Sequence, residues 1–195
     1  MRPPNQGPTL LDRLRVETRP AHERIELALD IGARISSQGA YRALLSRFYG
    51  FHRAFEPQAE RIIADPAFFV PRRKTPLLVR DLKALGLSSL EIERLPDCPL
   101  MPIEERAAAF GALYVVEGST LGGNVISKLV RKTLGLCPAT GCAYFGSYGG
   151  EIGAQWTMFT ARLLAVSSPE TDDLVVASAS RTFARMEEWL CGAAA

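Results

Sequence analysis

Histidine is scarce in this chain: 195 residues carry only His22 and His52. That excludes any metal cage built from several imidazoles. His22-Glu23 is followed by Glu26, so no His-Glu-x-x-His zinc motif exists. Arg19 and Tyr49 stand three residues before the histidines, which removes the Glu-x-x-His pairs of a di-iron carboxylate bundle. The four cysteines (98, 137, 142 and 191) form no Cys-x-x-Cys pair. They read as reduced thiols of a cytoplasmic protein, not as a zinc site or disulfide frame. Long apolar stretches are also missing. The longest, Ala107 to Val116, is too short to span a bilayer. The first eight residues have no apolar core and do not read as a signal peptide. A net charge of +2 with interspersed signs and no basic run gives no nucleic-acid signature.

β-type alternation is scarce, and period-3.6 patterns dominate. The fold class expected is all-α: a tail over residues 1–9, then one helical domain over 10–195. Helices are expected over about 10–30, with a possible break at Pro20, and over 39–64, with a kink at Pro57. Residues 65–76, with three prolines, read as a loop. A helix over 77–85 stops at Gly86. Ser88 and Glu91 have capping-box spacing and open a short helix. A long helix is expected over 103–134, a Gly- and aromatic-rich loop over 135–150, and a helix over 151–166. Ser168-Pro169-Glu170 reads as N-cap, first-turn proline and first-turn acid of the last helix.

The long helix carries Gly111, Gly118, Gly122 and Gly123. Each interior glycine costs roughly 0.5–1 kcal/mol relative to alanine. At about 100° per residue the first three fall nearly on one line, with Gly123 beside them. Two readings stand: close helix–helix packing, or a side-chain-free face that lets something flat and large approach. A Gly-Gly pair also permits a bend.

His22 has Glu26 four residues on, on the same helix face. A carboxylate there can orient one ring nitrogen and leave the other for a metal; a plain surface pair has the same spacing. His52, in Tyr49-Gly-Phe-His-Arg-Ala-Phe, reads as a packed helix residue. With so few ligands, the remaining metal option is a single axial ligand to a metal already held by a macrocycle. Arg15 and Arg19 lie on the same side of that helix. They suit a planar ligand with carboxylates at one edge, or are simply solvated.

Together these segments resemble the heme oxygenase family. Leu14, Arg15, Thr18, His22 and Glu26 match its proximal segment. Tyr114, Val115, Glu117, Gly118, Ser119, Leu121, Gly122 and Gly123 match its distal helix in the bacterial form. Arg73-Lys74 through Asp81-Leu82 to Leu85-Gly86 is similar to the forms that accompany bacteriophytochromes. The resemblance covers about residues 10–190.

It implies a fold with heme sandwiched between a proximal and a kinked distal helix. His22 would be the axial iron ligand and Glu26 its partner. Gly118, Ser119 and Gly122 would form the catalytic distal surface, with Gly123 beside it. Arg15, Arg19 and, on the penultimate helix, Arg162 would meet the propionates. The implied reaction is O2- and reductant-dependent cleavage of heme, both cofactor and substrate, to biliverdin, CO and ferrous iron. Electrons would come from an external ferredoxin or NAD(P)H-dependent reductase, and a bacteriophytochrome is a possible biliverdin acceptor. One departure matters: Ser119 stands where many members have Asp, so the route of protons is open. It keeps alive a heme carrier without turnover; a helical module serving a phytochrome is the third reading. If Thr18 is an N-cap, Pro20 falls in a first turn and His22 sits just inside a helix start.

Overall fold

A computed structural model describes residues 7–192. Most of the expected tail, and the last three residues of the expected domain, lie outside the described residues. All regular structure among the described residues is helical: α1 (Leu10–Leu29), α2 (Ile31–Arg34), α3 (Gln38–Ile63), α4 (Pro66–Phe69), α5 (Thr75–Ala84), α6 (Ser89–Glu93), α7 (Arg106–Leu134), α8 (Ile152–Leu164) and α9 (Asp172–Cys191). Single 3-10 turns occupy Val70–Arg72 and Gly149–Glu151.

Several boundaries correct the sequence reading. α1 starts with Thr9, whose side chain and that of Asp12 form a capping box. Thr18 is therefore no N-cap; it is buried mid-helix and donates its hydroxyl to the Leu14 carbonyl at 2.7 Å. Pro20 does not break the helix. It removes one ladder bond, to the carbonyl of Val16, but Pro20 and Val16 both face solvent, where water can serve that carbonyl. His22 thus projects from the middle of a continuous helix. α3 likewise runs through Pro57. The expected loop over 65–76 contains α4, capped by the Asp65 carboxylate, which accepts from the Phe68 amide at 3.1 Å. Ser168 caps nothing: it turns with Thr171, and α9 begins at Asp172. The Ser88–Glu91 capping box and the left-handed Gly86 after α5 (φ 93°) are present. α7 stays helical through all four of its glycines.

Helix α9 packs along both α1 and α7, and α3 packs on α5, α7 and α9. The core is aliphatic and aromatic, with Leu14, Tyr41, Phe51, Phe110, Phe159 and Val175 fully enclosed. Burial of this kind is worth about 1.5–3 kcal/mol per large side chain. α9 acts as a floor on which α1 and α7 stand as two walls. Gly111 makes this possible on the α7 side: a Cβ there would lie 2.2 Å from the Val175 carbonyl oxygen of α9. No helix is long and apolar enough to cross a membrane among the described residues.

Candidate functional site

Between the walls lies a cleft of about 470 Å³, within the range of small-molecule and cofactor sites. α1 contributes Arg15, Arg19, His22 and Glu26; α7 contributes Gly118, Ser119, Gly122 and Gly123. Phe183 and Met186 of α9 form the floor, and Phe48, Tyr144 and Phe145 the back. The proximal and distal candidates, eight of the nine residues singled out from the sequence, thus meet in one cavity.

Arg162 is the exception. It pairs with Asp65 at 3.1 Å and lies over Phe68, away from the cleft. The Asp65 that caps α4 claims it, a partner the sequence did not suggest.

The glycine line divides in two. At Gly122 an added Cβ would meet nothing within 4 Å, and at Gly118 only the Trp156 ring at 3.9 Å. These two present bare backbone to the cleft. At Gly123 the Cβ would fall 2.9 Å from the Phe145 carbonyl oxygen. Its role is packing, as at Gly111, although it borders the cavity. Ser119 is exposed and donates its hydroxyl to the Val116 carbonyl at 2.7 Å. Toward the cleft it offers only acceptor lone pairs.

His22 is half exposed (52%), with its ring edge-on to Phe183 at 5.7 Å. The nearest Glu26 oxygen is 3.6 Å from its Nε2, beyond direct hydrogen-bond length. Arg19 is held by Glu23 of its own helix at 2.7 Å. Arg15 faces Tyr114 across the cleft: burial pushes the Tyr114 hydroxyl up and the Arg15 charge opposes it. If Arg15 meets an anionic edge of the ligand, Arg15→Glu should weaken hemin binding about tenfold to hundredfold in a spectrophotometric titration. A merely solvated arginine would change affinity far less.

His52 and Glu56 repeat the His22–Glu26 spacing on α3, with the opposite fate. His52 is 2% exposed, its Nε2 3.1 Å from the Tyr144 hydroxyl and its Nδ1 3.4 Å from Glu56. Burial lowers its pKa and keeps the ring neutral. Nε2 is bonded to the Tyr144 hydroxyl and the ring is enclosed, so this imidazole is a core residue at the back of the cleft.

Three buried groups near the cleft were part of the matched segments but carried no role in the sequence reading. Asp81 is fully buried and accepts from the amides of Ala143 and Tyr144 at 2.7 and 2.8 Å, which pins the loop that supplies the back wall. Glu117 is buried and accepts from the Tyr148 hydroxyl at 3.0 Å. Its place four residues after Leu113 and seven after Phe110, on the core face, was a legible sign. Lys74 is buried beside the cleft; lying among the prolines of 66–76, it had no periodicity to mark it.

A sequence profile described as heme oxygenase matches residues 8–191. The chain belongs to the heme oxygenase family. It is similar to a heme oxygenase of Xanthomonas campestris pv. campestris (strain 8004), 37% identical over 93 residues, or 47% of this chain and 51% of the relative. The match thus spans about half the length of that curated relative. Among solved structures, the NO- and CO-bound heme oxygenase of Neisseria meningitidis superposes with a TM-score of 0.75 at 22% identity, covering 97% of this chain and 95% of that one. Heme oxygenase from Leptospira interrogans gives 0.75 at 17% identity, covering 95% and 100%. Heme oxygenase-2 from Synechocystis sp. PCC 6803, in complex with heme and NO, gives 0.73 at 16%, covering 93% and 84%. This chain therefore has the heme oxygenase fold.

Proposed function

We propose that this protein is a heme oxygenase. It binds heme between α1 and α7 and, with O2 and an external electron donor, cleaves it to biliverdin, CO and ferrous iron. The observation that carries the reading is the pairing of two opposed walls. One presents an accessible imidazole, His22, and the other the bare backbone of Gly118 and Gly122, where even a methyl group would meet open space or a ring edge. A flat macrocycle fits such a slot, and few other ligands need both features.

Heme supplies the redox chemistry and the oxygen activation when bound. The protein's part is placement. His22 holds the iron and Glu26 steers the ring. Arg15 and Arg19, at the α1 edge, suit the carboxylates. Gly118 and Gly122 let the oxygen side of the ligand come close to α7. Phe48, Phe145, Phe183 and Met186 exclude water from the inner edge. The donor is a ferredoxin or an NAD(P)H-dependent reductase, and a bacteriophytochrome is the acceptor class the resemblance suggests for biliverdin.

A carrier without turnover is the second reading, favoured by one observation: Ser119 has no charge and spends its proton on Val116. One titration separates the two. Hemin added to the purified protein should give a Soret band at one equivalent. Reductant in air should then replace it with the biliverdin spectrum and release CO. A stable Soret band under those conditions would establish the carrier, and no Soret band would remove heme altogether.

A further inference from the structure

Resting on the heme oxygenase reading, we infer that Lys74 is the proton donor of the cleft, held in place by Glu117, Glu56 and Tyr148. The cleft needs a group that can give up a proton, and Ser119 has its hydroxyl committed to α7. The other ionisable side chains of the cavity fail one by one. Arg15 and Arg19 do not deprotonate in proteins. His22 and Glu26 belong to the opposite wall. Burial pushes the Tyr114 and Tyr144 hydroxyls up, so both stay protonated. Burial keeps His52 neutral, with no ammonium-like proton to give, and its Nε2 is tied to the Tyr144 hydroxyl. Lys74 remains.

Its surroundings are built rather than incidental. The side chain is 1% exposed, and Nζ finds no hydrogen-bond acceptor among the described protein groups. The ammonium lies 3.6 Å over the Tyr148 ring. Tyr148 is a non-glycine residue at φ 67°, a conformation that costs about 1 kcal/mol or more. From there its hydroxyl also bonds both oxygens of Glu117. Glu56 of α3 accepts from the Lys74 and Thr75 amides at 2.6 and 3.0 Å, fixing the backbone that carries the lysine. Arg72, from the preceding turn, stands 3.6 Å from Glu117. The cluster therefore holds two cations, Lys74 and Arg72, and two carboxylates, Glu56 and Glu117. With no net charge it is a poor anion trap, which argues for proton exchange over anion binding. None of its members comes from α1, the helix that carries His22, and Lys74 is the member that lines the cleft.

Burial lowers the Lys74 pKa to about 8; Glu117 and Glu56 oppose that fall and Arg72 adds to it. An ammonium so placed exchanges its proton close to working pH. In the step, one N–H bond of the ammonium breaks and an O–H bond forms on a water in the cleft. The nitrogen keeps the electron pair as a neutral amine, then regains a proton from bulk water. No electron moves.

The test uses the full chain with and without hemin. In the heme-free protein, NMR of side-chain-labelled lysine should show one resonance titrating near pH 8, absent in Lys74→Arg. With hemin and reductant in air, wild-type turnover should fall about tenfold per pH unit above that value. Lys74→Met should slow turnover at pH 7 by about 10²-fold, the usual range for a general acid, and lose that pH limb. Hemin affinity should stay within about threefold. Lys74→Arg keeps the charge but not the exchangeable proton, and should lose the limb too, which covers a failure of the methionine variant to fold. A wild-type rate and limb in either variant, or no lysine titrating below the free range, overturns the proposal alone. Wild-type protein that binds hemin and never yields biliverdin overturns the parent reading, and the proposal with it.

Discussion

Gly122→Leu should leave the protein as stable as wild type and abolish tight hemin binding. The Cβ of residue 122 would meet no atom within 4 Å, so the protein itself has room for the new side chain. Leucine also favours the helix over glycine by about 0.5–1 kcal/mol, so the melting temperature should hold or rise slightly. The space it fills is the slot between the walls. A ligand that needs that slot must lose on the order of 100-fold or more in affinity, the equivalent of about 2.7 kcal/mol. Gly111→Ala is the matched control on the same helix line. There a Cβ would sit 2.2 Å from the Val175 carbonyl oxygen and 3.0 Å from the Ser178 Cβ, with backbone as the obstacle. α7 and α9 would have to part, at about 1–3 kcal/mol or more. At about 2–4 °C per kcal/mol for a chain of this size, that is a drop of several degrees. Thermal melts and hemin titrations of the two variants should therefore give opposite patterns. A Gly122→Leu protein with wild-type hemin affinity would take the slot away from heme.

The contrast explains why the glycine line was legible only in part. Helical spacing groups the glycines by angle, but not by what each turn of the helix faces. α7 is 29 residues long; its first turns lie on α9 and its middle turns on the cavity. One angular line thus serves packing at Gly111 and approach at Gly118 and Gly122, and the neighbouring Gly123 packs on the Phe145 carbonyl. The two His-x-x-x-Glu pairs make the same point. Their spacing is identical, and their chemistry is decided by burial: His22 stands on a helix edge beside the cavity, while His52 sits between Tyr144 and Glu56.

Local signals fared better where the physics is local. The Ser88–Glu91 capping box and the stop at Gly86 need only neighbours in sequence, and both were readable. Ser168 misled because Thr171, three residues on, competes for the same cap position. Arg162 misled because its partner, Asp65, is distant in sequence. The buried cluster around Lys74 was hidden for the same reason. It joins α3, the Val70–Arg72 turn, α7 and the loop after α7, and no window along the chain contains it. Asp81, whose carboxylate fastens that loop, gives a physical reason for the Asp-Leu in the middle matched segment.

His22→Ala should abolish normal turnover and change the ferric hemin spectrum, while helicity and melting temperature stay near wild type. His22 is half exposed and meets the ring of Phe183 edge-on. Its removal leaves no buried polar group stranded, and alanine is the better helix former. The loss is therefore confined to the ligand it holds. If His22 is the iron's protein ligand, as proposed, its loss must change the spectrum even where the cleft still admits hemin. His52→Ala should behave in reverse. It opens a cavity at the back wall and strips the Tyr144 hydroxyl and one side of Glu56 of a partner, a combination worth about 2–4 kcal/mol. Its ferric spectrum should keep the wild-type ligation, because His52 is enclosed in the core with its Nε2 bonded to the Tyr144 hydroxyl. Circular dichroism, thermal melts and ferric spectra of the two variants form a two-by-two comparison. If His22→Ala keeps the wild-type spectrum and turnover, α1 does not supply the iron ligand. If His52→Ala alone changes the spectrum, the buried pair on α3 takes its place.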